Sequence, residues 1–218
     1  MQEVGIQPDI LVLRTEHQLS VDLRRKVALF CNVEPDAVIQ SIDVPSIYEV
    51  PLKMQEQKLD EIVLRKTGME IGPRPELKPW REFLAHMQNA KDTVRIGLVG
   101  KYVELQDAYK SINEALFQAA TYNNRKLDLQ YIHSEKLTES NVEEKLSSMD
   151  GLIIAPGFGQ RGVEGKFVAL KYAREHDVPT FGICLGMQCM VIEYARDVLG
   201  YKDANSTEMD VNTPHNVI

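Results

Sequence analysis

From residue 93 onward, short apolar runs alternate with amphipathic helical patterns, and that rhythm leaves few folds open. Residues 93–100, 127–132, 151–155 and 179–183 read as strands. Residues 107–122, 138–149, 163–176 and 186–199 carry helical periodicity, with Ala108, Ile112, Ala115 and Ala119 on one face of the first. Gly200 is placed to end the last. Continuous apolar strands are buried on both faces, and strand–helix alternation joins parallel strands through crossover helices. The expectation is an α/β domain with a doubly wound parallel sheet. Such sheets bind ligands beyond the C-terminal ends of their strands, so a site is expected near Gly100, Pro156 and Cys184.

The earlier part of the chain has the same alternation in a shorter form. Residues 9–14 and 37–42 read as strands. Ser20 is placed to cap a helix through Cys31, with Leu23, Val27 and Phe30 on one face. A second helix is expected over 52–66, with Pro51 at its start and Gly68 at its end. Two strands do not make a domain, so 1–68 reads as the C-terminal part of a larger one. Residues 69–92 hold Pro73, Pro75 and Pro79 and one short helical pattern over 80–89, and read as an interdomain linker. Residues 93–218 are then the N-terminal part of a second α/β domain, so both sheets are expected to be incomplete.

Bulk properties exclude several classes. The chain is 44% hydrophobic and 26% charged, with a net charge of −7, as for a globular protein. Acidity argues against nucleic-acid binding, although a few placed cations suffice for one nucleoside triphosphate. The cluster Arg24-Arg25-Lys26 reads as a solvated helix face. Three cysteines, Cys31, Cys184 and Cys189, make neither a disulfide framework nor a metal site. No apolar run is long enough to cross a membrane. Met1-Gln2-Glu3-Val4 does not open like a secretion signal, and a cytoplasmic location is expected.

The segment Thr180-Phe181-Gly182-Ile183-Cys184-Leu185-Gly186-Met187-Gln188 joins the last strand to the last helix. Its G-x-C-x-G pattern has the form of a hydrolase nucleophile elbow with Cys for Ser. A sharp strand-to-helix turn lifts the side chain above the sheet edge, and Gly182 and Gly186 leave room for it. The helix N-terminus favours a thiolate. The Leu185 N–H, at the helix start, can donate to an oxyanion. A buried structural cysteine is the alternative, and the commoner fate of an isolated one; the flanking glycines and the strand–helix setting favour the nucleophile. Cys189, inside the helix, lacks that setting and reads as core. Met187, Val191, Tyr194 and Val198 are expected on the helix's inner face.

A second loop, Ala155-Pro156-Gly157-Phe158-Gly159-Gln160-Arg161-Gly162, also follows a buried strand and precedes a helix. It should lie beside the Cys184 turn, where the Gly157 N–H could be a second oxyanion donor. An ordinary Gly-rich turn is the alternative. A cysteine nucleophile needs a base. His17 and His86 lie outside the second region, His176 ends a helix, His133 ends a strand, and His215 is in a Pro-containing tail. None suits, and the base is expected to be missing from this chain.

Together these residues resemble a known family. Gly182 to Gln188 is similar to the nucleophile motif of class I glutamine amidotransferases. Three segments are similar to CTP synthases: Gly5-Ile6-Gln7-Pro8-Asp9-Ile10-Leu11, Lys26-Val27-Ala28-Leu29-Phe30-Cys31-Asn32-Val33 and Ala204-Asn205-Ser206-Thr207-Glu208. Val99-Gly100-Lys101-Tyr102-Val103-Glu104-Leu105 with Asp107-Ala108-Tyr109-Lys110-Ser111 resembles the start of that family's glutaminase domain. The resemblance implies a ligase that aminates UTP to CTP with ATP, Mg²⁺ and glutamine-derived ammonia, activated by GTP, and typically a homotetramer. No covalently bound cofactor is implied. It implies the end of a P-loop-type synthetase domain followed by a class I glutaminase domain.

Residue by residue, the resemblance makes Cys184 the nucleophile that forms the glutamyl thioester. Gly157, Leu185, Gly186, Met187 and Gln188 match glutamine-binding and oxyanion positions, and Glu208 the acid at the substrate's amino-acid end. Phe158 and Arg161 fall in the lid associated with GTP. Lys26 matches a cation at the UTP/CTP site, and Ile42, Asp43 and Val44 an ATP-contacting segment. One departure is Pro156, where the family usually has a first glycine; proline fixes φ and has no N–H, but the donor needed is on Gly157. Two rival readings are a Cys-elbow protein of the stress-chaperone or deglycase type, and a non-catalytic binding scaffold. With the base absent, the segment alone is expected to be inactive.

Overall fold

A computed structural model gives the structure of residues 5–218. The chain divides into two compact units at Leu84/Ala85. The division falls inside a helix, Lys78–Asn89.

In the first unit, β1 (Leu11–Thr15) and β2 (Val38–Ile42) pair in parallel, Leu11 opposite Val38. Between them runs α1 (Val21–Cys31), capped by the Ser20 hydroxyl, which accepts from the Leu23 N–H at 3.2 Å. Ala28 is the residue that α1 buries, whereas Leu23 and Phe30 stay exposed. The single helix expected over 52–66 is two, α2 (Val50–Glu56) and α3 (Leu59–Lys66). Lys58 turns left-handed between them, with φ 59°. The break lets the Gln57 amide pair with the backbone of β2: Oε1 accepts from Gln40 N at 2.8 Å and Nε2 donates to Gln40 O at 2.6 Å. A side chain thus satisfies part of the strand edge that a second strand would otherwise cover. The small core holds Ala37, Ile39 and Ile62. Residues of the 69–77 stretch are tied to this unit, since Gln55 Nε2 donates to Pro75 O and Arg74 donates to Gln55 O.

The helix Lys78–Asn89, α4, leads to the second unit, a four-stranded parallel sheet. Its strands are β3 (Asp92–Gly100), β4 (Arg125–His133), β5 (Gly151–Ile154) and β6 (Thr180–Gly182), in the order β4-β3-β5-β6. The helices are α5 (Lys110–Tyr122), α6 (Val142–Leu146), α7 (Val163–Glu175) and α8 (Leu185–Asp197). The α/β expectation holds, with parallel sheets that are incomplete. Two short strands, β7 (Ala204–Asn205) and β8 (His215–Asn216), pair separately. The main core joins Val99, Leu152 and Ile154 of the sheet to Leu170 of α7 and Leu185 and Cys189 of α8.

Two expectations fail here. The helix expected over 138–149 shrinks to α6, because Asn141 and Thr138 bond locally: Asn141 Oδ1 accepts from Thr138 N and Nδ2 donates to Lys136 O. Such side chains compete with helical hydrogen bonds. On α8, Met187, Val191, Tyr194 and Val198 face outward, and the buried residues are Leu185, Gly186, Cys189, Ile192, Glu193 and Ala195. The helix carries two apolar stripes, and Gly186 decides between them by packing directly on β5. Across the α7–α8 contact, the nearly buried Glu193 accepts from Arg174 Nε at 3.0 Å and Nη2 at 2.8 Å.

Candidate functional site

The C-terminal ends of β3, β5 and β6 carry Lys101, the 155–162 loop and Cys184. Cys184 is exposed and occupies the N-cap of α8 with φ 53° and ψ −112°. A non-glycine residue held in such a sparsely populated region costs about 1–3 kcal/mol, and such residues cluster at functional sites. The turn is that tight because only Ile183 and Cys184 separate β6 from α8. A Cβ on Gly182 would stand 2.5 Å from Met187 N, and one on Gly186 only 2.0 Å from Ile154 O. Ile154 O also accepts from Ile183 N at 3.0 Å, tying the elbow to β5. Leu185 is the first residue of α8, so its N–H has no acceptor within the helix.

The 155–162 loop lies against this elbow. A Cβ on Gly157 would be 3.7 Å from Leu185 Cδ2 and 3.4 Å from Lys101 Cε. The two expected oxyanion residues are therefore neighbours. Lys101 Nζ donates to Phe158 O, and Lys166 Nζ donates to Ala155 O at 2.6 Å. Phe158 projects its ring into solvent. Arg161 pairs with Glu135 at 2.7 Å and lies over the Tyr102 ring.

On the far side, the turn after β7 closes the site. Glu208 N donates to Ser206 Oγ at 3.0 Å, and the Glu208 carboxylate accepts from Gln188 Nε2 at 3.4 Å. Gln160 Nε2 donates to Met209 O at 2.9 Å, linking this turn to the 155–162 loop. Gly157, Leu185, Gly186, Gln188 and Glu208 thus surround one sheet end, while Met187 faces away on α8.

The histidines of this unit are engaged elsewhere. His86 Nδ1 meets Asn124 Oδ1 at 2.6 Å, and His133 Nδ1 accepts from Glu135 N. His176 stacks on Tyr172, and His215 stacks on Tyr201. In the first unit, Ile42, Asp43 and Val44 line a shallow pocket with Gln18, Lys53 and Gln57. Asp43 pairs with Arg14 at 2.7 Å. Lys26 is exposed on α1 and does not line that pocket; Arg24 does, and donates to Val38 O. Among the described residues no group of three or more His, Cys, Asp or Glu converges to hold a metal. No described helix is long and apolar enough to cross a membrane.

Lys101, Lys166 and Gln160 were not legible as site residues from sequence. The available signal was Lys166 itself, a charge on the inward stripe of α7 between Val163 and Leu170.

Cys189 is fully buried inside α8. Burial pushes the Cys189 thiol from the usual 9.0 to about 11, with Lys166 and Arg196 acting against it. The folded state therefore holds this proton more tightly than the unfolded chain. That contribution to stability is complete below about pH 9 and is lost as pH rises from about 9 to 11. At pH 8, iodoacetamide is expected to modify Cys184 in the native protein and Cys189 only after unfolding, read by peptide mass mapping. Equal native labelling of both would contradict the burial of Cys189.

A strained cysteine elbow at a parallel-sheet edge, with a glycine loop beside it, defines a class. Residues 104–217 match the family model for class I glutamine amidotransferases, and the chain belongs to that family. Residues 1–69 match the family model for the CTP synthase N-terminus. Over 218 residues the chain is 69% identical to a CTP synthase of Porphyromonas gingivalis, and it is 66% identical to one of Bacteroides fragilis. The chain spans 40% and 41% of the length of these relatives. Among solved structures, the glutaminase domain of Trypanosoma brucei CTPS with bound acivicin matches with a TM-score of 0.54 and 40% identity. That match covers 57% of this chain and 49% of the other. These matches do not support the stress-chaperone or deglycase alternative.

Proposed function

We propose that this chain carries the glutaminase nucleophile of a CTP synthase, a ligase of pyrimidine nucleotide biosynthesis. The observation that carries the reading is Cys184 at φ 53° at the head of α8, with Gly157 beside Leu185. The Cys184 thiolate attacks the side-chain amide carbon of glutamine. Negative charge moves to the amide oxygen, where the N–H groups of Leu185 and Gly157 donate. Collapse breaks the C–N bond, and the nitrogen leaves as ammonia after protonation. Water then cleaves the glutamyl thioester and returns the thiol. Glu208 pairs with the substrate's α-ammonium group, and Gln188 holds Glu208 in place. The base and acid of these steps come from outside the described residues.

The rest of the reading follows the family. Ammonia aminates UTP in an ATP-dependent synthetase reaction, with Lys26 at the UTP/CTP site and Ile42, Asp43 and Val44 at the ATP site. Phe158 and Arg161 form the lid on which GTP acts as an allosteric activator. Mg²⁺ belongs to the ATP-dependent synthetase reaction; among the described residues no group of three or more His, Cys, Asp or Glu converges to hold it. The enzyme is a cytoplasmic homotetramer, and the 218 residues alone are inactive.

Acivicin, an electrophilic glutamine analogue, tests the elbow directly. In the full-length enzyme carrying this segment, Cys184 is expected to displace its chloride and form a stable Sγ–C bond. Glutamine should protect against the reaction. Peptide mapping that finds the adduct on Cys31 or Cys189, or on none of the three, would sink the assignment.

A further inference from the structure

Two buried ammonium groups stand at the oxyanion loop, and the chemistry above gives neither a role. Lys166 is 1% exposed and Lys101 is 7% exposed. They donate to Ala155 O and Phe158 O, the carbonyls on either side of Pro156-Gly157.

The place of Lys166 is a costly one. It lies in the first turn of α7, where the helix dipole disfavours a cation. Burial lowers its affinity for a proton; Cys189 opposes this, the Lys101 charge adds to it, and Cys184 opposes it. Its hydrogen-bond partner is a carbonyl, not a carboxylate. An apolar side chain on this inward stripe would pack beside Val163 and Leu170 without that cost. What a lysine adds is a charged donor to Ala155 O.

That donor matters because of the peptide two bonds further on. A loop that shifted away from the elbow would carry the Gly157 N–H away from the oxyanion. The two lysines anchor the loop at Ala155 and Phe158, one residue before and one residue after Pro156-Gly157. Displacing the Gly157 N–H with the loop then has to disturb at least one charge-assisted hydrogen bond in a buried setting. We propose that Lys166 is a positioning residue for the oxyanion hole, holding the Ala155 carbonyl so that the Gly157 N–H points at the reacting amide, with Lys101 acting likewise through the Phe158 carbonyl. The proposal rests on the glutaminase reading and adds the residues that preset its geometry.

The test uses the full-length enzyme and Lys166→Met, which keeps most of the volume and removes the donor. Glutamine hydrolysis is expected to lose about 10- to 100-fold in kcat, less than removal of an oxyanion donor itself, with KM within about twofold. CTP formation from ammonia should be unchanged, which reports an intact fold. Alkylation of Cys184 by iodoacetamide should fall far less than kcat, because it needs the thiolate, on which the Lys166 charge acts, but no oxyanion hole. An unchanged kcat overturns the proposal, as does an alkylation rate that falls in step with kcat. If Lys166→Met does not fold, the same measurements on Lys166→Gln and Lys101→Met decide. A wild type that hydrolyses no glutamine, or Cys184→Ala that still does, is a different result and overturns the glutaminase reading itself.

Discussion

In the full-length enzyme, Cys184→Ala is expected to lower glutamine-dependent CTP formation by about 10⁴-fold or more, as for the loss of other covalent nucleophiles. The ammonia-dependent rate should stay within about twofold, because free ammonia bypasses the thioester. The split between the two nitrogen sources is the informative part. A mutation that merely unsettled the fold would lower both rates. Cys184 is exposed and is not part of the packed core, so its truncation leaves no cavity. The left-handed turn is imposed by Gly182 and Gly186 packing on their neighbours, and alanine at position 184 bears the same strain as cysteine. A mutant that keeps its glutamine-dependent rate would mean that another nucleophile acts. A wild type that makes no CTP from either source would remove the CTP synthase reading altogether.

The elbow at Cys184 was legible in the sequence because its signal is local. Gly-x-Cys-x-Gly between an apolar run and a helical pattern describes a turn whose geometry follows from the residues that make it. The parallel α/β sheet was legible for a similar reason, since each strand is a short apolar run bounded by turns. What was not legible depends on distant partners. Periodicity finds both apolar stripes of α8 but cannot say which one meets the sheet; the contact of Gly186 with Ile154 O decides it. The break after Glu56 exists because Gln57 turns to bond the backbone of Gln40, which no local pattern announces. Lys101 and Lys166 lie 65 positions apart in the chain and share one loop only once the sheet has formed. Lys26 shows the opposite limit: its proposed role comes from the resemblance, and its exposed place on α1 adds nothing to it.

Gly186→Ala should also cripple glutamine hydrolysis, less than removal of the thiol does and by a different route. The added methyl carbon would stand 2.0 Å from Ile154 O, 2.8 Å from Ile154 C and 3.1 Å from Ile154 Cβ. Two of these are backbone atoms of a central strand, so no side-chain rotation relieves the contact. The start of α8 has to move away from β5 by more than about 1 Å, and a displacement of that size at a reacting group costs on the order of 100-fold. The move carries Cys184 and the Leu185 N–H together, while Gly157 stays with the β5 loop. The attacking sulfur and the two donors then no longer converge on one amide. Overpacking of this kind should also lower the unfolding free energy by about 1–3 kcal/mol. The expected result is a loss of glutamine hydrolysis of about 100-fold or more, with a lowered melting temperature and an ammonia-dependent rate close to wild type. Gly72→Ala, where nothing lies within 4 Å, provides the neutral control. Should Gly186→Ala hydrolyse glutamine within a few-fold of wild type, α8 can stand off from β5 at no cost, and the tight elbow is not what aligns the nucleophile.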